Sequence, residues 1–128
     1  MNLRDAKDLC NKWLPLWTGN RPEELVKVYA EDAFYRDPVR PQGMKGHAEL
    51  LPYLKRLLAA NPRWVWEFVE AFPTDKGFTL KWKATIPVGD QVITEYGVDI
   101  VEVSGGKVTR NEVYFDRAAL LDALRKIK

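Results

Sequence analysis

The 128-residue chain has one cysteine (Cys10), one histidine (His47) and one serine (Ser104). A lone cysteine cannot form an intrachain disulfide, so we expect a reducing compartment, the cytoplasm. One histidine and one cysteine are too few ligands for a zinc site. A single serine in a Ser-Gly-Gly turn excludes a Ser-His-Asp machine. We therefore expect a protein that works without a metal or an organic cofactor.

The sequence also lacks long hydrophobic runs and an excess of one charge. No apolar stretch is long enough to cross a bilayer, and the N-terminus has no signal-peptide core. The 20 basic and 18 acidic residues give a net charge of +2. They are mixed in sign along the chain, so no basic footprint for nucleic acid is present. We expect no membrane partner and no nucleic-acid partner.

Aromatic residues are plentiful. Five Trp, five Tyr and five Phe accompany a hydrophobic content of 46%, which is enough material for a core. Aromatic side chains line cavities as readily as they fill cores. The length predicts one domain over residues 1–128.

The first helix is indicated by apolar residues at steps of three and four, with Asn2 as a plausible N-cap. Pro15 should kink this helix or end it near Trp13. The residues of its apolar stripe are Leu3, Ala6, Cys10, Trp13 and Trp17.

Two further helices are predicted before residue 62. Pro22 suits the first turn of a short helix that buries Tyr29 on its inner side. A strand over Ala33–Asp37 follows, and residues 38–46 form a loop rich in glycine and proline. The third helix spans about 46–61.

From residue 63 the hydrophobic period changes to two, which predicts strands. Short gaps with turn residues between the runs indicate an antiparallel meander. Helices followed by such a sheet give an α+β fold. The tail 118–128 is either a short amphipathic helix or a frayed end. The four strands are Trp64–Phe72, Phe78–Ile86, Gln91–Val103 and Lys107–Phe115.

The strand faces are only partly fixed by the pattern. Leu80 and Trp82 should face the helices, with Lys81 and Lys83 outside. For the next two strands, the pattern does not decide which face points towards the helices. If the Asp99 face points inward, burial should raise the pKa of Asp99 above its usual value of about 3.9.

Asp37 ends the first strand directly before Pro38, on the same face as Tyr35. A carboxylate at this position has two interpretations. It is either a residue that fixes the turn, as Asp often does, or a general base for a bound molecule. The pattern favours neither one.

Three stretches, YAEDAFYRDP, PQGMKGHAELLPYLKRLL and YGVDIVEVSGGKVTRNEVYFD, carry a family resemblance. In order and spacing the chain resembles the nuclear transport factor 2-like superfamily, also called SnoaL-like or cystatin-like. The resemblance implies a curved, antiparallel-rich sheet wrapped around about three N-terminal helices, as a cone with an internal pocket. Function is not implied by this fold, because it hosts many unrelated activities.

Within the superfamily the chain resembles ketosteroid isomerases. The resemblance places Asp37 at the position of their general base and Asp99 at that of their protonated second Asp. Trp13 stands where those enzymes have a tyrosine, and an indole donates one hydrogen bond but cannot share a proton. The resemblance also turns Asn111 and Phe115 into the pocket.

Five aromatic side chains are candidates for a ligand-binding wall, with Asn111 as a polar point beside Asp99. An ordinary packed core is the alternative for these aromatics. The candidates are Trp13, Tyr35, Tyr53, Trp82 and Phe115.

Two functions remain open on sequence alone. The first is a binder of a small hydrophobic molecule that acts as a cofactor-free isomerase, cyclase or dehydratase through Asp37 and Asp99. The second is a non-catalytic module for ligand binding or dimerisation. The outer sheet face, with Lys81, Glu112 and Tyr114, is expected to pair two copies as a homodimer, since members of the superfamily commonly pair there.

Overall fold

The computed structural model describes residues 1–127. The helices are α1 (Leu3–Trp13), α2 (Pro22–Val26), α3 (Gly46–Ala60) and α4 (Ala118–Lys126), with a 3-10 turn at Leu14–Trp17. The strands are β1 (Tyr29–Asp37), β2 (Arg40–Lys45), β3 (Val65–Pro73), β4 (Gly77–Val88), β5 (Gln91–Ser104) and β6 (Lys107–Tyr114).

The six strands form one curved, unclosed sheet in the order β2-β1-β6-β5-β4-β3. Neighbours are antiparallel except β1 and β6, which run parallel. The predicted α+β class is confirmed, with helices packed on one side of an antiparallel-rich sheet. The parallel pair sets Tyr35 opposite Asn111, so the first strand lies beside the late hairpin that carries Asp99.

The start and end of α1 follow from its sequence. The side chain of Asn2 accepts a hydrogen bond from the backbone N–H of Asp5 at 2.8 Å, which satisfies one free donor of the first turn. The helix ends at Trp13, two residues before Pro15, as predicted. The chain continues as a 3-10 turn that buries Trp17.

Two predictions for the region before α3 were wrong. Tyr29 begins β1 instead of closing the second helix, because it pairs with Val108 of β6. The segment expected to be a loop contains β2, an edge strand that pairs Met44 with Tyr35. An edge strand tolerates Pro41, since the missing N–H leaves no interior ladder bond unmade.

The C-terminal segment is helical over Ala118–Lys126, which resolves the alternative left open by the sequence. The carboxylate of Asp116 accepts the N–H of Ala118 at 2.9 Å and fixes the start of α4. The helix buries Ala123 and turns leucines towards the concave face of the sheet. None of the helices within residues 1–127 is long and apolar enough to cross a membrane.

Candidate functional site

A cavity of about 230 Å3 lies between the concave face of the sheet, the end of β1, α3 and α4. Two carboxylates, Asp37 and Asp99, and one guanidinium, Arg117, belong to its wall. Most of the remaining wall is apolar. The aromatic side chains that line it are Trp17, Tyr35, Tyr53, Trp64, Trp66, Trp82 and Phe115.

Asp99 lies in the middle of β5 on the inward face and is 5% exposed. The Trp82 indole N–H donates to Asp99 Oδ1 at 2.8 Å, and the Asn111 amide donates to Asp99 Oδ2 at 2.9 Å. Both donors are neutral. Each carboxyl oxygen therefore has one donor from the protein and keeps a further lone pair.

Gly97 explains why the Trp82 indole reaches Asp99. The two residues Gly97 and Trp82 are direct partners across β4 and β5. A Cβ at position 97 would collide with the Trp82 ring and with Cβ of Phe115. The missing side chain lets the indole lie across β5 and present its N–H to the carboxylate two residues further along.

Burial raises the pKa of Asp99 from 3.8 to about 7. The hydrogen bonds from Asn111 and Trp82 oppose this rise because they stabilise the carboxylate, and the negative charge of Asp37 adds to it. An acid in this range changes protonation near neutral pH, where general acids and bases work best. Asp99 thus points inward and has a raised pKa, as expected for the inward alternative.

Asn111 and Tyr29 form a layer behind Asp99. The Tyr29 hydroxyl donates to Asn111 Oδ1 at 2.8 Å, so the amide group presents its N–H to Asp99. Asn111 is completely buried and is absent from the cavity wall. Instead of touching a ligand, as the sequence suggested, it holds the Asp99 carboxyl in place.

Asp37 is 6% exposed and accepts four hydrogen bonds. The backbone N–H groups of Val39 and Arg40 donate to Oδ1 at 2.9 and 3.0 Å. The hydroxyls of Tyr35 and Tyr53 both donate to Oδ2 at 2.7 Å. Asp37 therefore both fixes the β1–β2 turn and lies at the cavity. Its Oδ1 accepts the two backbone N–H groups of the turn, and its Oδ2 accepts the two tyrosine hydroxyls.

The pKa values of both tyrosine hydroxyls lie above the usual value of 10. For Tyr35 the pKa rises well above it, first through burial and then through the charge of Asp37. For Tyr53 burial is again the first cause and the hydrogen bond to Asp37 the second. Both hydroxyls therefore stay protonated and act as donors to Asp37.

Edge-to-face contacts connect much of the aromatic wall. Trp66 is central: its ring centroid lies 4.7 Å from Trp82, 5.6 Å from Trp64 and 6.4 Å from Trp17, at steep interplanar angles. The Trp82 ring in turn meets Phe115 at 5.3 Å. Such perpendicular pairs stabilise a fixed arrangement and give the cavity a rigid apolar wall.

Trp13 lies away from the cavity, contrary to the expectation for it. Its side chain is fully buried in the core, where its ring meets Tyr29 edge to face at 6.1 Å. Within residues 1–127 its indole N–H has no hydrogen-bond partner. The side chain is turned inward because Trp13 shares the buried stripe of α1 with Ala6 and Cys10.

Several wall residues were not among the sequence candidates. Trp17 was assigned only to a helix stripe, and Trp64 and Trp66 only to a strand. The alternation of Trp64, Trp66 and Phe68 on one strand face was the available signal for the last two. Arg117 carried no signal, because its place depends on how α4 turns back over the sheet.

No group of three or more His, Cys, Asp or Glu side chains is arranged to hold a metal ion in the part of the chain that the structure describes. The two carboxylates of the cavity accept hydrogen bonds from protein donors instead. Besides the indoles, the polar side chains of the cavity wall are two acids, two phenols, one guanidinium and the Asn61 amide.

The chain has the nuclear transport factor 2-like fold. The model of the SnoaL-like domain matches residues 11–111, and the chain belongs to that family. No curated protein matches the sequence.

Solved structures support the same fold. A candidate polyketide cyclase from Acidithiobacillus ferrooxidans has a TM-score of 0.81 at 20% identity, with 100% of both chains covered. A protein with ketosteroid isomerase-like fold from Catenulispora acidiphila, in complex with trimethylamine, has 0.80 at 18%, with 92% of both chains covered. AclR, a candidate hydroxylase from Streptomyces galilaeus, has 0.77 at 18%, over 99% of this chain and 100% of its own.

Proposed function

We propose that this protein binds a small, largely apolar molecule that carries a carbonyl or hydroxyl oxygen, and that Asp99 exchanges a proton with it. The reaction would be a cofactor-free isomerisation, cyclisation or dehydration. The observation that carries the proposal is the buried Asp99 carboxyl on the cavity wall, with a pKa of about 7. The neighbours of similar fold, among them a candidate polyketide cyclase, are consistent with this class of chemistry.

Asp99 has the geometry for proton transfer in either direction. When Asp99 is protonated, its proton sits on a carboxyl oxygen at the position that neither Trp82 nor Asn111 occupies. From there it can be donated to a ligand oxygen as negative charge develops on that oxygen. Trp82 and Asn111 keep their hydrogen bonds to the carboxyl throughout. The carboxylate left behind is stabilised by the same two donors.

Asp37 serves in this proposal as the second proton site, acting through Tyr53. All four of its hydrogen bonds are to protein donors, so a ligand does not reach a free lone pair. The Tyr53 oxygen takes a proton from the ligand while the Tyr53 hydroxyl proton passes to Asp37 Oδ2, 2.7 Å away. The base expected at Asp37 would thus act through a phenol.

Deuterium exchange is the test of this proposal. Small ketones, phenols and terpenoids that raise the melting temperature are first identified. The α-hydrogen exchange of a bound ketone in D2O is then followed by NMR. Wild type should catalyse this exchange. In Asp99→Asn the exchange rate should fall at least about tenfold, while the ligand still binds. Asp90→Asn, in the exposed β4–β5 turn, is the matched control.

A non-catalytic binding module is the alternative function. The saturated Asp37 and the tryptophan in place of the tyrosine of ketosteroid isomerases favour it. It predicts ligands that raise the melting temperature and no exchange above that of Asp99→Asn. Exchange unchanged in Asp99→Asn would contradict the catalytic role of Asp99 and leave the binding role.

We also propose a homodimer through the outer sheet face. Tyr96 and Val98 of β5 and Tyr114 of β6 are exposed there at 53%, 39% and 40%. Lys81 and Lys83 of β4 lie on the same face, while the acidic Glu112 of β6 is already paired with Arg110 of its own strand. Sedimentation should give a dimer at micromolar concentration and a monomer for Val98→Glu. A wild-type monomer would contradict the pairing.

The cytoplasmic location stays a prediction.

A further inference from the structure

Arg117 is the only lysine or arginine on the cavity wall among residues 1–127. It lies at the junction of β6 and α4 and is half-buried. Within the described chain no carboxylate lies within ion-pair distance of it, and its guanidinium makes no hydrogen bond to protein. The other arginine close to this end of the site, Arg40, is exposed and stacks over the Tyr53 ring at 5.6 Å.

Two tryptophans that line the cavity also have an indole N–H that is unpaired in the described part of the chain, although these nitrogen atoms lie beneath the cavity surface. The indole N–H groups of Trp64 and Trp66 are buried and have no hydrogen-bond partner within residues 1–127. Buried polar groups are rarely left unpaired, because each one costs free energy. Their counterparts, the carboxylates of Asp37 and Asp99, already accept hydrogen bonds from the protein.

Arg117 thus supplies the one positive charge of the cavity wall among residues 1–127, and most of the wall around the cavity is apolar. A molecule that complements it brings acceptor oxygens and negative charge. Guanidinium groups bind carboxylates through two parallel hydrogen bonds, and arginine keeps its charge at any pH that the protein experiences. The aromatic side chains of the same cavity wall fit a flat apolar body.

We propose that the natural ligand is an aromatic or polycyclic organic acid whose carboxylate or enolate pairs with Arg117. This inference rests on the proposed function, since it names the ligand class of the same cavity. Arg117 then determines specificity: it orients the ligand with its charged end at α4 and its apolar body among the tryptophans. The opposite end of the ligand reaches towards Asp99.

The test compares 2-naphthoate with its neutral isostere 2-naphthamide by isothermal titration calorimetry at pH 7.5. Wild type should bind the acid at least about tenfold more tightly than the amide. Arg117→Gln should remove that preference and leave amide binding within about twofold. Arg117→Lys should retain only part of the preference, because an ammonium lacks the planar fork.

Arg40→Gln is the matched control, since it removes the same charge close to Tyr53 but outside the wall. It should keep the preference for the acid. Equal binding of acid and amide by wild type would overturn the organic-acid assignment and leave the cavity as a site for neutral molecules. An equal loss in Arg40→Gln and Arg117→Gln would overturn it as well, by showing a long-range charge effect. Failure of both probes to bind would count against the binding function itself.

Discussion

The two acids of the cavity, Asp37 and Asp99, are nearly equal in exposure and differ in everything around them. Asp37 ends β1, where the following turn supplies two backbone donors, Tyr35 of the same strand supplies one phenol and Tyr53 of α3 supplies the other. Asp99 lies in mid-strand, where backbone N–H groups belong to the sheet and only two side chains donate. Asp37 thus accepts four hydrogen bonds from the protein and Asp99 accepts two.

The difference shows that depth alone does not decide what a buried carboxylate does. The donors around a buried carboxylate also matter, because each hydrogen bond to the ionised form stabilises it. Asp37 holds the β1–β2 turn at the cavity rim through two backbone N–H groups, and the raised pKa of Asp99 makes Asp99 change protonation near neutral pH.

The largest effect is expected for Asp37→Ala. This change leaves two backbone N–H groups and two hydroxyls without their acceptor, and it should lower the free energy of unfolding by roughly 4 kcal/mol. Urea denaturation at pH 7 measures it. Asp32→Ala, at an exposed position of the same strand, should change stability by less than about 0.5 kcal/mol. Similar losses in both variants would show that the four hydrogen bonds contribute little.

The next effect is a pH dependence carried by Asp99. Its pKa is raised in the folded protein, so the unfolded chain releases this proton at lower pH. The stability associated with Asp99 is fully present below pH 4 and is lost as pH rises to about 7. Between pH 5 and 7 wild type should lose roughly 2 kcal/mol of unfolding free energy relative to Asp99→Asn, since each pH unit is worth at most about 1.36 kcal/mol. Parallel stability curves for the two proteins would contradict this.

A smaller effect is expected from removing one of the two donors to Asp99. Trp82→Phe removes the indole N–H from Asp99 Oδ1 and keeps an aromatic ring, so the pKa of Asp99 should rise by about one further unit. Carbon-detected NMR titration of the carboxyl reports it. Trp66→Phe is the control, because the Trp66 indole N–H has no partner. A rise of equal size in both variants would point to packing rather than to the hydrogen bond.

The smallest effect is expected for Tyr53→Phe. One of the two hydroxyls on Asp37 Oδ2 is lost while Tyr35 remains, so stability should fall by about 1 kcal/mol. Thermal unfolding measures the loss. The same variant should slow α-hydrogen exchange if Tyr53 relays protons to Asp37. Full exchange activity in Tyr53→Phe would exclude the relay and leave Asp37 as an anchor alone.

Much of the fold was predictable because its signals are local. The period-two runs gave the four long strands to within two residues at each end, and Pro15 marked the end of α1. β2 was missed because the glycines and prolines of residues 38–46 are typical of loops. Only pairing with β1 makes this segment a strand, and pairing is a property of the whole fold.

The site was predictable where a residue faces the cavity directly. Asp37, Asp99, Tyr35, Tyr53, Trp82 and Phe115 all belong to its wall. Alternation and resemblance do not distinguish a wall residue from one placed a layer behind it, so Asn111 and Trp13 were assigned to the ligand. Arg117 was missed because the path of α4 depends on tertiary packing.

The most direct test of the central claim is the pKa of Asp99 itself in wild type. Selective 13C labelling of aspartate, with Asp99→Asn used for assignment, allows the Asp99 carboxyl to be followed from pH 3 to 9. We predict a titration midpoint close to pH 7 that shifts when a ligand binds in the cavity. A midpoint near 4 that no ligand moves would contradict it.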